Sequence, residues 1–247
     1  MKALILAAGY GTRLYPLVTD TPKPLLEVGG QPLVNHILDK IKDFAGLKEV
    51  IVVTNNKFYN DFQAWAEDQS EYPAAVKIIN DRTETPEDRL GSVGDIHFVL
   101  ENAAVEDDLL IVGGDNLFDF DVEQFLTFAA DKKPAVTIGL FDIGRKEDAK
   151  EFGVAALDED GKVKQFLEKP KGPPSSLISM CFYFIPRRSL GMIQDYVRES
   201  QKTDKAGDFI RWMVEKKQVY GFKFEGTWYD IGSVESYNEA QEFFNKK

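Results

Sequence analysis

Arg13 and Lys23 follow closely on two glycines, Gly9 and Gly11, and two aspartates, Asp115 and Asp230, each follow an apolar stretch further along the chain. A guanidinium can grip phosphate oxygens through two parallel hydrogen bonds, whereas an ammonium acts as a mobile point charge. The glycines, having no Cβ, allow positive φ and let backbone N–H groups come close to a polyphosphate. Asp115 stands in Gly113-Gly114-Asp115-Asn116 and Asp230 in Trp228-Tyr229-Asp230-Ile231-Gly232. Two such carboxylates can share a Mg²⁺, which prefers octahedral oxygen ligation and commonly takes only one or two of them. These residue types suit the holding and attack of a nucleoside triphosphate. Each also has a plainer reading, as a structural turn with solvated cations or as an aspartate that closes a turn or caps a helix.

The elements that must position these residues follow from hydrophobic periodicity. Lys2 to Ala7 is a short apolar run entering the glycine turn, a first strand with a loop at its carboxyl end, where open α/β sheets bind ligands. Apolar runs at Val50–Val53, Val76–Ile79, Leu109–Val112 and Val136–Phe141 alternate with helical patterns at Leu33–Phe44, Phe58–Glu67, Val93–Glu101 and Val122–Ala130. That alternation predicts an α/β fold with a mostly parallel sheet covered on both faces. After Phe141 the texture becomes more mixed. Strands near Val154–Leu157 and Val163–Leu167 flank the turn sequence Asp158-Glu159-Asp160-Gly161, which predicts a hairpin, and a strand follows at Ile178–Ile185. Pro170 to Pro174 reads as a loop, and helices are expected at Arg188–Glu199, Asp208–Lys216 and Val234–Phe244.

Composition excludes several classes. The 247 residues suit one large domain, and a net charge of −11 argues against a nucleic-acid or anionic-membrane surface. A single cysteine, Cys181, rules out an intramolecular disulfide framework or a cysteine metal cluster; His36 and His97 fall in helices and read as packed or surface residues. No stretch approaches the ~20 apolar residues of a membrane span, and the N-terminal apolar run is too short for a secretory leader, so a cytoplasmic protein is expected. Leu14 stands where a dinucleotide fingerprint needs its third glycine, and no Walker sequence follows, which removes a nicotinamide-dependent dehydrogenase.

The string Leu6-Ala7-Ala8-Gly9-Tyr10-Gly11-Thr12-Arg13-Leu14-Tyr15-Pro16, followed by Pro22-Lys23-Pro24-Leu25, closely resembles the signature of the nucleoside-diphosphate-sugar pyrophosphorylases. The resemblance runs from Met1 to about Tyr237. It implies a Rossmann-like three-layer nucleotidyltransferase fold: a nucleotide-binding half at about 1–141 and an acceptor-binding half with a smaller mixed β portion at about 142–247. Both halves would form one catalytic domain, without the C-terminal β-helix of some relatives. The implied reaction is attack of a sugar 1-phosphate on the α-phosphorus of a nucleoside triphosphate, with loss of pyrophosphate.

On the matching positions, Ala7, Ala8, Gly9, Gly11 and Thr12 would form the nucleotide loop. Arg13 would hold the β- and γ-phosphates, Lys23 would orient the triphosphate and the attacking phosphate, and Asp115 with Asp230 would carry Mg²⁺. Glu151-Phe152-Gly153-Val154 and Glu168-Lys169-Pro170 resemble the family's acceptor elements. Gly153 would admit the sugar, Glu168 accept its hydroxyls, Lys169 bind its phosphate and Tyr183 face it; a strand-end ion pair facing water is the plainer reading of Glu168 and Lys169.

The sequence also departs from the pattern. Between Asn80 and Ser92 there is no glutamine of the kind relatives place before a leucine-glycine pair. Asn80, Gly91 and Ser92 are the candidates for base and ribose contacts, the charged insertion is a candidate lid, and thymidine, uridine and cytidine triphosphates all stay open. Met180 and Cys181 replace smaller residues before the aromatic strand, which leaves the acceptor open as well. The alternatives are a cytidylyltransferase for a non-sugar phosphate such as choline phosphate or an alditol phosphate, or a catalytically silent regulatory nucleotide-binding subunit. Relatives are often dimers or tetramers.

Overall fold

The computed structural model describes residues 1–69, 72–200 and 203–245. The chain divides into two compact units that share out the sequence in alternating segments. Met1–Leu90, Val112–Phe120 and Gly226–Lys247 make the first, and Gly91–Ile111 with Asp121–Glu225 the second.

Strand β1 (Lys2–Leu6) begins the first unit with Ala3, Leu4 and Ile5 wholly buried, as a strand covered on both faces requires. Single turns of 3-10 helix at Thr12–Leu14 and Lys23–Leu25 lead to a ribbon of β2 (Glu27–Val28) and β3 (Gln31–Pro32). Helix α1 (Leu33–Ile41) buries Leu33, Val34, Ile37, Leu38 and Ile41 along one stripe. It stops short of the predicted Phe44, where the Phe44 N–H turns back to the Ile41 carbonyl at 3.2 Å. Strand β4 (Glu49–Thr54), helix α2 (Tyr59–Glu67) and strand β5 (Ala75–Asn80) follow. β4 pairs in parallel with β1 and with β5, from Lys2↔Glu49 and Glu49↔Ala75 onward, and parallel neighbours need the crossovers that α1 and α2 supply.

Helix α3 (Gly91–Asn102) opens the second unit, and along strand β6 (Leu109–Gly113) the chain passes into the first, where β7 (Asn116–Phe118) lies. Helix α4 (Val122–Asp131) is capped by Asp121, whose carboxylate accepts the Glu123 N–H. The rest of the second unit is β8 (Val136–Asp142), β9 (Gly153–Leu157), β10 (Val163–Glu168), β11 (Leu177–Ile185), helices α5 (Gly191–Ser200) and α6 (Ala206–Lys216), and β12 (Val219–Phe224). Pairing here is mixed, as the sequence texture predicts: β9 is antiparallel to β10 and β11, β8 antiparallel to β11, and β12 parallel to β8. The expected β9–β10 turn is held by Asp158, which accepts the N–H groups of Asp160 and Lys162 at 3.1 and 2.9 Å.

The last elements, β13 (Trp228–Asp230) and α7 (Val234–Phe244), belong to the first unit. β13 pairs antiparallel with β7, Asp230 opposite Asn116. Strands β2, β3, β7, β12 and β13 fall outside the elements that periodicity predicts. Four of the five have only two or three residues, too few to show a period.

Candidate active site

The charged residues of the first unit are set by one apolar cluster. Leu14, Val18, Leu26, Val28, Leu33, Leu117, Ile231 and Ala240 pack together. Arg13 adjoins Leu14, Asp115 lies two residues before Leu117, and Asp230 adjoins Ile231, so burial of these apolar neighbours fixes where each charge emerges.

The glycine loop lies between β1 and the first 3-10 turn. Gly11 takes the left-handed conformation expected of it (φ 60°), but Gly9 does not. Gly9 is exposed and a Cβ there would meet nothing within 4 Å, so its contribution is open space above the loop. Ala7 and Ala8 are buried, and their backbone groups hold the loop down: the Ala7 N–H donates to the Val53 carbonyl, and the Ala8 carbonyl accepts Asn55 Nδ2, both at 2.9 Å. Thr12 and Arg13 are exposed.

Lys23 donates to Asp115 Oδ2 at 2.8 Å. The Lys23 side chain is 12% accessible and that of Asp115 37%, so the pair has one open face. Gly114 permits this approach, its N–H bonding the Leu6 carbonyl at 2.9 Å while its missing side chain leaves room for Pro24. The β7–β13 ribbon brings in Asp230. The Ile231 N–H donates to the Asp115 carbonyl at 3.1 Å, and Trp228 Nε1 donates to Asn116 Oδ1 at 2.7 Å.

Electrostatics follow from this crowding. Burial opposes the charge on Asp115, yet Lys23 and Arg13 hold its carboxyl below the usual carboxylate range. Burial and the Asp115 charge push Asp230 up to about 6, with Lys23 and Arg13 opposing. Two carboxylates that disfavour each other's ionisation are a fitting donor set for a hard dication, which would relieve the repulsion. Among the described residues no three His, Cys, Asp or Glu side chains converge, so water and phosphate oxygens would complete an octahedral shell.

In the second unit, Gly153 and Glu168 are opposite one another in the β9–β10 register. A Cβ on Gly153 would fall 2.6 Å from Phe166 Cζ, so any side chain there would force the buried Phe166 ring to shift. Glu168 is half-buried, and burial raises its carboxyl against the opposing charges of Lys205, Lys169 and Arg211. Lys169 is exposed with φ 46°, although it precedes Pro170, a position that favours extended backbone. Cys181, at the irregularity of β11, has φ 53°. Strained residues of this kind gather at ligand sites. Tyr183 is buried, its hydroxyl 3.3 Å from Ser179 Oγ.

The base-contact candidates are divided between the units. Asn80 is engaged at both ends of its amide, donating to Asn56 Oδ1 and accepting the Arg82 N–H, both at 2.8 Å. Gly91 (φ 77°) allows the Thr203–Asp204 backbone to pass close to α3, and the Ser92 N–H donates to the Asp204 carbonyl at 3.1 Å. The 84–89 segment is a local turn, with the N–H groups of Glu84 and Thr85 on Asp88. His36 bonds the Val28 carbonyl at 2.8 Å and His97 sits 3.6 Å from Glu101, the packed and surface roles expected of them.

Sequence reasoning missed the residues that brace the loop. Tyr10 lies between the two glycines with its hydroxyl 3.2 Å from Thr83 Oγ1, which in turn lies 2.8 Å from buried Asp81. Asn55 spans from the Ala8 carbonyl to the Phe58 N–H. The available signal was position: an asparagine pair directly after a parallel strand, at the sheet end where ligands bind.

The sequence model of the nucleotidyl transferase family matches residues 2–247, and the chain belongs to that family. It is 29% identical over 236 residues to the bifunctional protein GlmU of Methanococcus maripaludis strain C7, an alignment covering 94% of this chain and 51% of that one. Identity is again 29%, over 255 residues, to the glucose-1-phosphate adenylyltransferase of Bacillus subtilis strain 168, covering 96% of this chain and 65% of the relative. The chain thus spans about half the length of the GlmU relatives it matches. A Bacillus anthracis structure provisionally assigned as a glucose-1-phosphate thymidylyltransferase, in complex with sucrose, superposes with a TM-score of 0.85 at 23% identity, covering 100% of this chain and 96% of that one. A UDP-glucose pyrophosphorylase complexed with UDP-glucose gives 0.83 at 20% identity, covering 99% and 98%. These likenesses establish the fold, the α/β nucleotidyltransferase fold with a large, mostly parallel sheet. No helix among the described residues is long and apolar enough to cross a membrane.

Proposed function

We propose that the chain is a Mg²⁺-dependent sugar-phosphate nucleotidyltransferase, which joins a nucleoside triphosphate to a sugar 1-phosphate and releases pyrophosphate. The observation that carries this reading is the convergence of Lys23, Asp115 and Asp230, with Arg13 in electrostatic reach of both carboxylates. In the reaction an oxygen of the acceptor phosphate bonds to the α-phosphorus as the bond from that phosphorus to the α,β-bridging oxygen breaks, and pyrophosphate leaves with the electron pair. The nucleophile is already an anion, so no general base is needed; the obstacles are anion repulsion and charge growing on the leaving group. Arg13 and Lys23 offset that charge, and the glycine loop orients the triphosphate. Mg²⁺ bound to Asp115 and Asp230 would supply charge neutralisation at the α-phosphate.

The second unit supports a polyhydroxylated acceptor. Glu168 can accept hydrogen bonds from neighbouring hydroxyls, and the adjacent exposed Lys169 would take the phosphate. Around Glu168 the cations Lys205, Lys169 and Arg211 outnumber the acidic neighbour Asp208, which disfavours a quaternary ammonium such as choline, a ligand that needs aromatic walls. The nucleotide candidates fall mainly in the first unit, with Gly91 and Ser92 in the second, and the acceptor candidates all fall in the second; we read them as one catalytic domain. The test is pyrophosphate release with Mg²⁺ across the common nucleoside triphosphates, each against a panel of sugar 1-phosphates with choline phosphate and glycerol phosphate included. An active sugar phosphate pair supports the reading. Activity with choline phosphate alone refutes the acceptor class, and nucleotide binding with silence across the grid refutes the reaction.

A further inference from the structure

Gly207 lies in the first turn of α6, where no left-handed φ calls for glycine. Glycine weakens a helix relative to alanine, so the backbone gains nothing from it here. What it leaves is space. A Cβ on Gly207 would fall 1.9 Å from Glu168 Oε2 and 2.7 Å from Glu168 Cδ. The same oxygen lies 3.2 Å from the Cβ position of Gly153 on β9. The Glu168 carboxylate therefore occupies a slot between two glycine α-carbons, one on the facing strand and one on the helix.

We infer that Gly207 is a positioning residue for acceptor recognition: by lacking a side chain it seats the Glu168 carboxylate against α6 and fixes the direction from which it meets acceptor hydroxyls. This rests on the acceptor role proposed above for Glu168. A free carboxylate at the end of a flexible chain explores several rotamers, whereas one lodged between two α-carbons is held ready, and preorganisation of this kind lowers the entropic cost of binding. The inference also accounts for the glycine itself. Any side chain at 207 would displace the tip of Glu168 without disturbing the helix backbone.

The test is a double-mutant cycle of Gly207→Ala and Glu168→Ala in the full chain, with dTTP and glucose 1-phosphate as the probe pair, or the pair of highest turnover from the pyrophosphate grid. G207A should raise the acceptor KM about tenfold, the loss expected for a hydrogen bond to a charged group. The triphosphate KM and the unfolding temperature should hold or, for the latter, rise. In the E168A background, G207A should change nothing further. If G207A alone lowers the unfolding temperature, the slot requires the double variant to recover it, because the obstructing atoms are then gone. An unchanged acceptor KM in G207A, or an effect that persists in full without Glu168, would overturn the inference while sparing the acceptor assignment. A wild-type acceptor KM in E168A would overturn both.

Discussion

Alanine at Gly114 should cost both stability and turnover, and the reason lies in which atoms stand in the way. A Cβ there would sit 2.8 Å from the Leu6 carbonyl oxygen, 3.0 Å from Pro24 Cγ and 3.4 Å from Ile5 Cγ2. Comfortable non-bonded contacts between carbon atoms begin at about 3.5 Å. Leu6 ends a strand whose Ala3, Leu4 and Ile5 are wholly buried, so it cannot give way without moving the core. Overpacking of this kind costs about 1–3 kcal/mol, and in a chain of this size each kcal/mol lowers Tm by roughly 2–4 °C. Relief then falls on residue 114 itself and on Pro24, the neighbours of Asp115 and Lys23, so it stretches the 2.8 Å Lys23–Asp115 contact. A misplacement near 1 Å can cost on the order of a hundredfold in rate. Gly9→Ala is the matched control: nothing stands within 4 Å of its Cβ position, so Tm should hold while the triphosphate KM rises. Scanning calorimetry and pyrophosphate release measure both quantities. G114A with wild-type Tm and wild-type kcat would refute the reasoning.

Asp115→Asn removes charge with little change of shape; turnover should fall at least about a hundredfold while circular dichroism stays native, and near-normal kcat would remove Asp115 from the metal site. Lys169→Ala should raise the acceptor KM about tenfold and leave the triphosphate KM alone in steady-state kinetics; equal weakening of both would contradict its role. Asp142 accepts Ser176 Oγ at 2.6 Å, Lys223 Nζ at 2.9 Å and the Gly144 N–H at 3.0 Å, which together bring its carboxyl down from 3.8 to about 2. Because the folded value is depressed, its stabilisation is complete above pH 3.8 and fades as pH falls towards 2. With solvent screening at this partly exposed site the contribution is on the order of 1 kcal/mol. Asp142→Asn should therefore unfold earlier than wild type at pH 7 in a denaturant titration and match it near pH 2; a constant gap would be the wrong outcome.

Much of this architecture was legible because its signals are local. The apolar run of β1, the stripe of α1 and the hairpin turn at Asp158 each state their structure within a few residues. Arg13, Lys23, Asp115 and Asp230 stood out by residue type, and the structure brings them together within one unit. Their convergence was not locally written: it depends on a ribbon of two three-residue strands, Asn116–Phe118 and Trp228–Asp230, which pair across more than a hundred residues. Strand β12 reads Val219-Tyr220-Gly221-Phe222-Lys223-Phe224, an alternation weakened by a glycine and a lysine. Gly9 illustrates the opposite failure, because its residue type suggested a left-handed turn when its contribution is open space. Tyr10, Asn55 and Gly207 act through contacts with distant segments, and no periodicity encodes those.

Phosphorus-31 NMR of the purified protein with Mg²⁺ and the active triphosphate and sugar 1-phosphate pair tests the central claim most directly. The account predicts that the monophosphate and triphosphate resonances decline together as those of a diphosphate diester and pyrophosphate grow in equal amounts, and that chelation of Mg²⁺ stops the change. Release of orthophosphate, or cleavage of the triphosphate with the sugar phosphate left intact, would contradict it.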